Sequence, residues 1–269
     1  MKKAKKILWV LPIILVICLI YVKVTEVKTP KHIEILNNDA FQVIETDRGI
    51  LSITYKLENN GVVLINNTSK EEAKDYKYIL KPGDTHVIAL TDGVGTYKVT
   101  LHDVENTGGN VGSILNTYEC NEINLTEEDE LQVFTKNTTL IDFESNSDII
   151  DEVFKDTNDV DEIYIYFKNM GYDYRLADKI SKGVITDYSV DIKSTIENKK
   201  GICYDLATSM TAVLRHKGYT AQMVYGYVNN TYHSWVRVLI DNEWFAYDPT
   251  LDKTSYDTHM DLYIIDEYH

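Results

Sequence analysis

Residues 201–218 read GICYDLATSMTAVLRHKG and place a cysteine at the start of a regular apolar pattern. The apolar residues that recur on one helical face are Leu206, Met210, Val213 and Leu214. The pattern predicts a helix that stops at Gly218, with Cys203 in its first turn. Unpaired backbone N–H groups and the positive end of the helix dipole meet in that turn. They favour a thiolate nucleophile and can hold the oxyanion of an acyl-transfer intermediate.

Three runs of β-forming residues follow this helix, at residues 220–228, 232–240 and 243–247. The dipeptide Asp241-Asn242 between the last two runs is typical of a two-residue hairpin turn. If these runs pair across that turn, Trp235 lies opposite Asp248, and His233 lies on the same side of the sheet, diagonal to Asp248. A bulge would change this register without necessarily separating His233 from Asp248.

A cysteine, a histidine and an aspartate in this arrangement suit nucleophilic catalysis. Asp248 would orient the imidazole, His233 would take the thiol proton and later act as an acid, and Cys203 would attack an amide or ester carbonyl. A lone cysteine on such a helix is more often a small buried hydrophobe, so the hypothesis depends on all three residues together. Cys120 is expected not to pair with Cys203 in the active form, since a bridged sulfur cannot attack a carbonyl.

Three ordered motifs resemble those of the transglutaminase-like superfamily, whose pattern is G-x-C-x-D-x-A, H-x-W and D-P-T. They are residues 200–207 (KGICYDLA), 233–238 (HSWVRV) and 244–250 (WFAYDPT), and their spacings resemble those of compact bacterial members. The resemblance covers residues 147–257. It implies an α+β, papain-like fold in which helices pack on an antiparallel sheet, a catalytic triad of Cys203, His233 and Asp248, and no metal or other cofactor. Arg237 departs from the pattern, because many members carry a glutamate there.

Three aromatic residues near these motifs are candidate substrate-binding residues. Tyr204 follows the nucleophile, and Trp235 completes the H-x-W motif. Tyr174 belongs to the segment Tyr172-Asp173-Tyr174, which resembles a Y-D segment often found upstream of the nucleophile in this family. For Trp235 the alternative is an ordinary core or cleft-wall aromatic.

Residues 32–144 predict a small β-sandwich domain, which loosely resembles the β-domain that often precedes this core in secreted Gram-positive proteins. Short runs of β-formers lie at residues 41–44, 50–57, 62–65, 85–90, 96–102 and 130–135. From residue 145 the apolar period becomes helical, which marks the start of the predicted catalytic domain at residues 145–269. Helices are predicted at residues 147–154, with Ser147 as the N-cap, and at 160–167 and 191–198.

The first 31 residues differ from the rest of the chain in charge and hydropathy. They hold seven lysines, although the formal net charge of the whole protein is −15, so the composition does not predict nucleic-acid binding. Residues 7–22 are uncharged and apolar, follow four lysines, and lack the small residues of a cleavage site nearby. The pattern predicts a single-pass membrane anchor with the later domains outside the cytoplasm. A cleaved signal peptide, and hence a secreted protein, is the alternative.

The sequence thus predicts an extracytoplasmic cysteine enzyme that acts on amide bonds of cell-surface proteins or peptides through a thioester. A transglutaminase, a deamidase and a peptidase all remain open, since the triad suits each of them. From another class, the alternative is a non-catalytic cell-surface interaction module in which the β-domain does the work. The intact triad counts against that alternative.

Overall fold

The computed structural model describes residues 32–106, 111–186, 188–228, 231–250 and 263–269. The predicted anchor at residues 7–22 lies outside these ranges. Among the described residues, no helix combines the length and the apolar character that crossing a membrane requires. Below, residues 32–144 are called the β-region and residues 145–269 the C-terminal region.

Two antiparallel sheets make up the β-region. The first has the strand order β1-β2-β3-β6, with β1 at Ile33–Asn37, β2 at Phe41–Asp47, β3 at Ile50–Tyr55 and β6 at Thr85–Ala89. The second has the order β5-β4-β7-β8, with β4 at Asn60–Asn67, β5 at Tyr76–Leu80, β7 at Gly95–Asn106 and β8 at Val111–Glu119; β9 at Ile123–Leu125 also pairs with β7. The two sheets share one hydrophobic core, to which β2 contributes Phe41 and Val43 and β7 contributes Val99 and Leu101. This arrangement is a β-sandwich.

The strand predicted at residues 130–135 is wrong. A short helix, α1, occupies Glu127–Glu130, and a 3₁₀ turn occupies Gln132–Thr135. Four consecutive acidic residues in α1 suit a helix start, and the Asp129 carboxylate accepts hydrogen bonds from the Thr126 backbone N–H at 3.1 Å and hydroxyl at 2.7 Å. Val133 and Phe134 are buried by tertiary packing in the 3₁₀ turn, although their residue types suggest a strand.

The C-terminal region begins with helices, of which all but one were predicted. They are α2 at Ser147–Phe154, α3 at Val160–Lys168, α4 at Tyr174–Ser181, α5 at Ile192–Asn198 and α6 at Cys203–His216. Ser147 is the first helical residue and Asn146 the N-cap, one position earlier than predicted. The sequence analysis missed α4, a short and mostly polar helix whose apolar face consists of Leu176, Ala177 and Ile180 and has no buried side chain.

The C-terminal sheet is antiparallel, with the strand order β14-β13-β12-β15. Its strands are β12 at Ala221–Val228, β13 at Thr231–Ile240, β14 at Glu243–Tyr247 and β15 at Tyr263–Tyr268. Helix α6 packs on this sheet, and the shared core contains Met210, Val213, Met223, Val236 and Val238. A short parallel pair, β10 at Gly171–Tyr172 and β11 at Lys200–Gly201, leads directly into α6. Helices packed on an antiparallel sheet form the α+β core that the sequence predicted.

Strand β15 and the residue that follows it connect the two regions. Lys74 of the β-region pairs with Asp266 at 2.6 Å and with Glu267 at 3.0 Å. The Thr91 hydroxyl donates a hydrogen bond to the Tyr268 carbonyl at 2.6 Å. From the other side, the Arg215 guanidinium of α6 donates to the His269 carbonyl at 2.8 Å. The last strand of the C-terminal sheet is therefore bonded both to the β-region and to the end of α6.

Candidate active site

The start of α6 is held by an aspartate that folds back over a glycine. The buried Asp205 carboxylate accepts the Ile202 backbone N–H at 2.8 Å and the Tyr188 hydroxyl at 2.8 Å. A Cβ atom on Gly201 would lie 2.6 Å from the Asp205 Cβ, so only glycine leaves room for this contact. The glycine and the aspartate of the G-x-C-x-D motif therefore cap the N-terminus of α6 and make Cys203 its first residue.

The hairpin of β13 and β14 has the predicted register. Asp241 and Asn242 both have positive φ angles, 50° and 66°, as a two-residue turn of the I′ class requires. Val236 pairs with Tyr247, which puts Asp248, one residue further on, level with Trp235. Across the diagonal, the His233 Nε2 atom lies 2.8 Å from Asp248 Oδ2.

Two further side chains hold the Asp248 carboxylate. Its Oδ1 atom accepts the Thr250 backbone N–H and hydroxyl, both at 2.9 Å, and its Oδ2 atom accepts the Tyr263 hydroxyl at 3.0 Å. Burial alone would raise the pKa of Asp248, but the hydrogen bond and charge of His233, together with the bonds from Thr250, hold it below its ordinary value. Asp248 is therefore an anion fixed in position beside the imidazole.

His233 contacts the nucleophile as well as the aspartate. Burial alone would lower the pKa of His233, but hydrogen bonds and charge interactions with Asp248 and Cys203 raise it to about 9. Because Asp248 is bonded to the Nε2 atom of His233, Nδ1 is the ring nitrogen that can exchange a proton with Cys203. The structure thus brings together the three residues that the sequence predicted as catalytic.

Tyr172 also lies at the nucleophile. Strand β10 pairs Tyr172 with Gly201, two residues before Cys203. Burial, together with the charge of Cys203 and a hydrogen bond to it, raises the pKa of Tyr172 to about 12. The Tyr174 ring, 79% exposed, lies 5.0 Å from the Tyr172 ring, so this predicted binding residue is one aromatic ring away from Cys203.

Trp235 has a different environment from the other two predicted binding residues. Its side chain is fully buried, 6.4 Å from the His233 ring and 4.8 Å from the Tyr263 ring between centroids. Gly226 makes this packing possible, because a Cβ there would lie 2.6 Å from Trp235 Cη2 and 2.0 Å from the Ile264 carbonyl oxygen. In the described structure the indole packs beside the His233 imidazole, and substrate contact by Trp235 stays a prediction.

Sequence reasoning missed Tyr188, Tyr263 and the second role of Thr250. Thr250 belongs to the D-P-T motif, which was the available signal, and its hydroxyl also lies 3.2 Å from His233 Nε2. Tyr188 and Tyr263 stand outside the three motifs, and nothing in their local sequence distinguishes them from the other tyrosines of the chain. In the part of the chain that the structure describes, no group of three or more His, Cys, Asp or Glu side chains could hold a metal ion.

The hydroxyl of Tyr263 gives a testable positioning role. In Tyr263→Phe the ring still packs on Trp235, but Asp248 loses one donor to its charged carboxylate, and such bonds are worth about 1.5–3 kcal/mol. We expect turnover to fall about tenfold with little change in KM, because Asp248 is then held less firmly beside the imidazole. Tyr268→Phe is the matched control, since it removes a hydroxyl from the same strand that contacts Arg237 instead. Equal kinetics of the two variants would remove Tyr263 from the site.

The raised pKa of His233 predicts a pH-dependent contribution to stability. Since the folded value of about 9 exceeds the ordinary 6.5, the stabilisation is fully present below pH 6.5 and is lost as the pH rises through about 9. We expect the melting temperature of the wild type to exceed that of His233→Gln most clearly at pH 6, and the difference to shrink by pH 9.5. Melting curves of both proteins across this range check it. A difference that is independent of pH would contradict the raised pKa.

Several solved structures resemble the chain at low sequence identity. No curated protein sequence matches the chain. A proposed cysteine protease from Cytophaga hutchinsonii is 12% identical over 82% of this chain and 80% of its own, with a TM-score of 0.42. A TGase structure is 22% identical over 61% of this chain and 47% of its own, with a TM-score of 0.33. The periplasmic domain of TgpA from Pseudomonas aeruginosa is 12% identical over 80% of this chain and 72% of its own, with a TM-score of 0.34.

The family model described as the transglutaminase-like superfamily matches residues 146–249. This segment starts at the N-cap of α2 and ends one residue after Asp248, so it contains the whole triad. Over residues 146–249 the chain is accordingly similar to the transglutaminase-like superfamily.

Proposed function

We propose that the protein is a cysteine enzyme that acts on amide bonds through a thioester acyl-enzyme, with Cys203, His233 and Asp248 as its catalytic residues. One observation carries the proposal: the His233 imidazole bonds the Asp248 carboxylate at 2.8 Å and interacts electrostatically with Cys203 at the start of α6. Nucleophile, base and orienting acid in contact are the arrangement that covalent acyl transfer requires.

The first half of the reaction forms the thioester. His233 Nδ1 takes the proton of the Cys203 thiol, and the thiolate sulfur attacks the amide carbon to form a C–S bond. The first-turn backbone N–H groups of α6 are placed to stabilise the oxyanion. The imidazolium then gives its proton to the amide nitrogen, the C–N bond breaks, and ammonia or an amine leaves. Asp248 stays ionised and holds the ring throughout.

The second half resolves the thioester and decides the product. His233 removes a proton from an incoming water or primary amine, which attacks the thioester carbon, and the C–S bond breaks to restore the thiol. Water gives deamidation or peptide hydrolysis, whereas a lysine amine gives a crosslink. Tyr204, Trp235 and Tyr174 are the residues we propose for contacts with the protein or peptide substrate.

Incorporation of a labelled primary amine tests the proposal. The full chain is incubated with surface proteins and the amine, with ammonia release and peptide cleavage followed in parallel. We expect product from the wild type and none from Cys203→Ala. Cys120→Ala is the matched control, since burial raises the pKa of Cys120 to about 12 and the structure shows both cysteines free. Full activity in Cys203→Ala would refute the mechanism. A Cys203 that resists soft alkylating agents, with no product of any kind, would favour the interaction module.

The site of action is proposed to be the outer face of the cell membrane. The support is sequence alone: four lysines before the apolar run at residues 7–22, and no small residues suited to cleavage after it. We expect protease added to intact cells to remove the β-region and the C-terminal region. Recovery of the intact domains in the medium, starting near residues 24–30, would show a cleaved signal peptide instead.

A further inference from the structure

A cavity of about 370 Å³ lies between the β-region and the C-terminal region. The β-region contributes Tyr78, Val87, Ile88 and Leu140, and the C-terminal region contributes Tyr204 and Tyr225. Both its size and its position between two structural units are typical of ligand sites. Because twelve of its seventeen lining residues lie outside residues 146–249, the cavity is not a property of the matched segment alone.

One tyrosine of the wall is the chain neighbour of the proposed nucleophile. Tyr204 directly follows Cys203, whereas Tyr225 pairs with Ser234 and therefore lies on the face of the sheet opposite His233. The rings of Tyr204 and Tyr225 lie 5.6 Å apart. Because consecutive Cα atoms are about 3.8 Å apart, the cavity wall at Tyr204 lies one residue from Cys203.

The wall is tied to the structure that holds the nucleophile. Tyr188, another lining residue, donates its hydroxyl to Asp205, the same carboxylate that caps α6 at Ile202. The Tyr188 ring lies 6.4 Å from the Tyr204 ring. A group bound in the cavity would consequently be held in a defined position relative to Cys203, as an orienting subsite requires.

The lining indicates an uncharged, apolar occupant. Nine of its seventeen lining residues are aliphatic or aromatic, and the rest include polar residues such as His86, Thr138 and Ser189. The half-buried Glu267 carboxylate, which is also in the lining, is already paired with Lys74 at 3.0 Å and with His269 at 3.3 Å. The exposed Lys77 lies on the solvent side. Burial of a large apolar group is favourable here, whereas a charged group would meet an already satisfied ion pair.

We propose that this cavity is the specificity subsite of the enzyme and that it receives a large apolar or aromatic side chain of the acyl-donor peptide, next to the residue whose amide reacts. The proposal rests on the function proposed above. On this proposal the β-region selects the substrate, because it lines the side of the cavity that residues 146–249 do not line.

The test compares donor peptides that differ only in the flanking residue, phenylalanine or alanine. For the wild-type full chain we expect kcat/KM to favour phenylalanine by about tenfold or more. Val87→Trp should fill the cavity and abolish the preference, while alkylation of Cys203 by iodoacetamide stays unchanged. Ile79→Trp is the matched control, since Ile79 lies on the neighbouring strand β5 and is 49% exposed. Val190→Trp fills the cavity from the opposite wall and replaces Val87→Trp if that variant does not fold.

Equal kcat/KM for the two peptides in the wild type, or a preference that persists in a filled cavity, would overturn the subsite. If no peptide turns over, binding of N-acetyl-phenylalanine amide to Cys203→Ala, measured by ligand-observed NMR, separates the two proposals. If the ligand binds and the added Val87→Trp substitution abolishes that binding, the subsite is supported and only the proposed catalytic function is refuted. Absence of binding refutes the subsite as well.

Discussion

Replacing Asp248 by asparagine is expected to lower turnover on the order of 10²-fold or more while leaving the fold intact. Asparagine keeps the size of the side chain and can still accept the Thr250 bonds, but it has no charge to stabilise the His233 imidazolium. The pKa of His233, raised to about 9 in the wild type, should then fall, because one of the interactions that raise it is lost. Alkylation of Cys203 should slow for the same reason, whereas substrate KM should change little.

Asp161→Asn is the matched control for this experiment. Asp161 is exposed and accepts the hydroxyl of Tyr247, the residue before Asp248, at 3.3 Å, so it tests a neighbouring carboxylate outside the triad. Melting temperature and alkylation rate are measured against pH on the same samples. If Asp248 were only a turn residue before Pro249, the asparagine variant would melt lower and still react at the wild-type rate per folded molecule. That outcome would remove it from the triad.

The second large effect is on stability and concerns Arg215. This arginine is 3% exposed, and its guanidinium donates to three backbone carbonyls: Ala221 at 2.9 Å, Lys136 at 3.0 Å and His269 at 2.8 Å. Arg215→Met would remove this donor from the Ala221 and Lys136 carbonyls, whereas the His269 carbonyl still accepts the Met223 N–H at 2.9 Å. We expect the free energy of unfolding to fall by about 2 kcal/mol or more, since each unsatisfied group costs about 1–3 kcal/mol.

Chemical denaturation of the full chain measures this loss. Arg175→Met is the control, because Arg175 is exposed on α4 and its replacement should change stability by less than about 0.5 kcal/mol. Arg215→Lys should fall between the wild type and Arg215→Met, since an ammonium group cannot match the planar fork that reaches three acceptors. A loss for Arg215→Met no greater than that for Arg175→Met would show that the three bonds contribute nothing net.

Local pattern was sufficient for the elements that carry the triad. Helix α6 is long and strongly periodic, and strands β12, β13 and β14 are long runs of β-formers joined by a recognisable turn, so local preference and tertiary packing agree. The same agreement made the contact between His233 and Asp248 predictable from strand register. The prediction from local pattern was wrong at residues 130–135, where Val133 and Phe134 are buried in a 3₁₀ turn and not in a strand.

Contacts between distant parts of the chain could not be predicted in this way. Strand β15 pairs with β12, although two other strands lie between them in the sequence. Its Asp266 forms an ion pair with Lys74, which is 192 positions earlier in the chain. No period or turn rule connects such residues, because which segments meet depends on how both regions pack together.

The amino-acid sequence alone therefore predicted the geometry of the candidate site: a cysteine at a helix start, with a histidine and an aspartate in register on a hairpin. Spacing within one helix and one hairpin is a local property, so residue order was enough. Tertiary structure alone supplied the surroundings of that site, including the Tyr263 bond to Asp248 and the cavity beside Tyr204. These features exist because the β-region, α6 and β15 pack against one another, and packing is specified by shape complementarity over the whole chain, which no short motif contains.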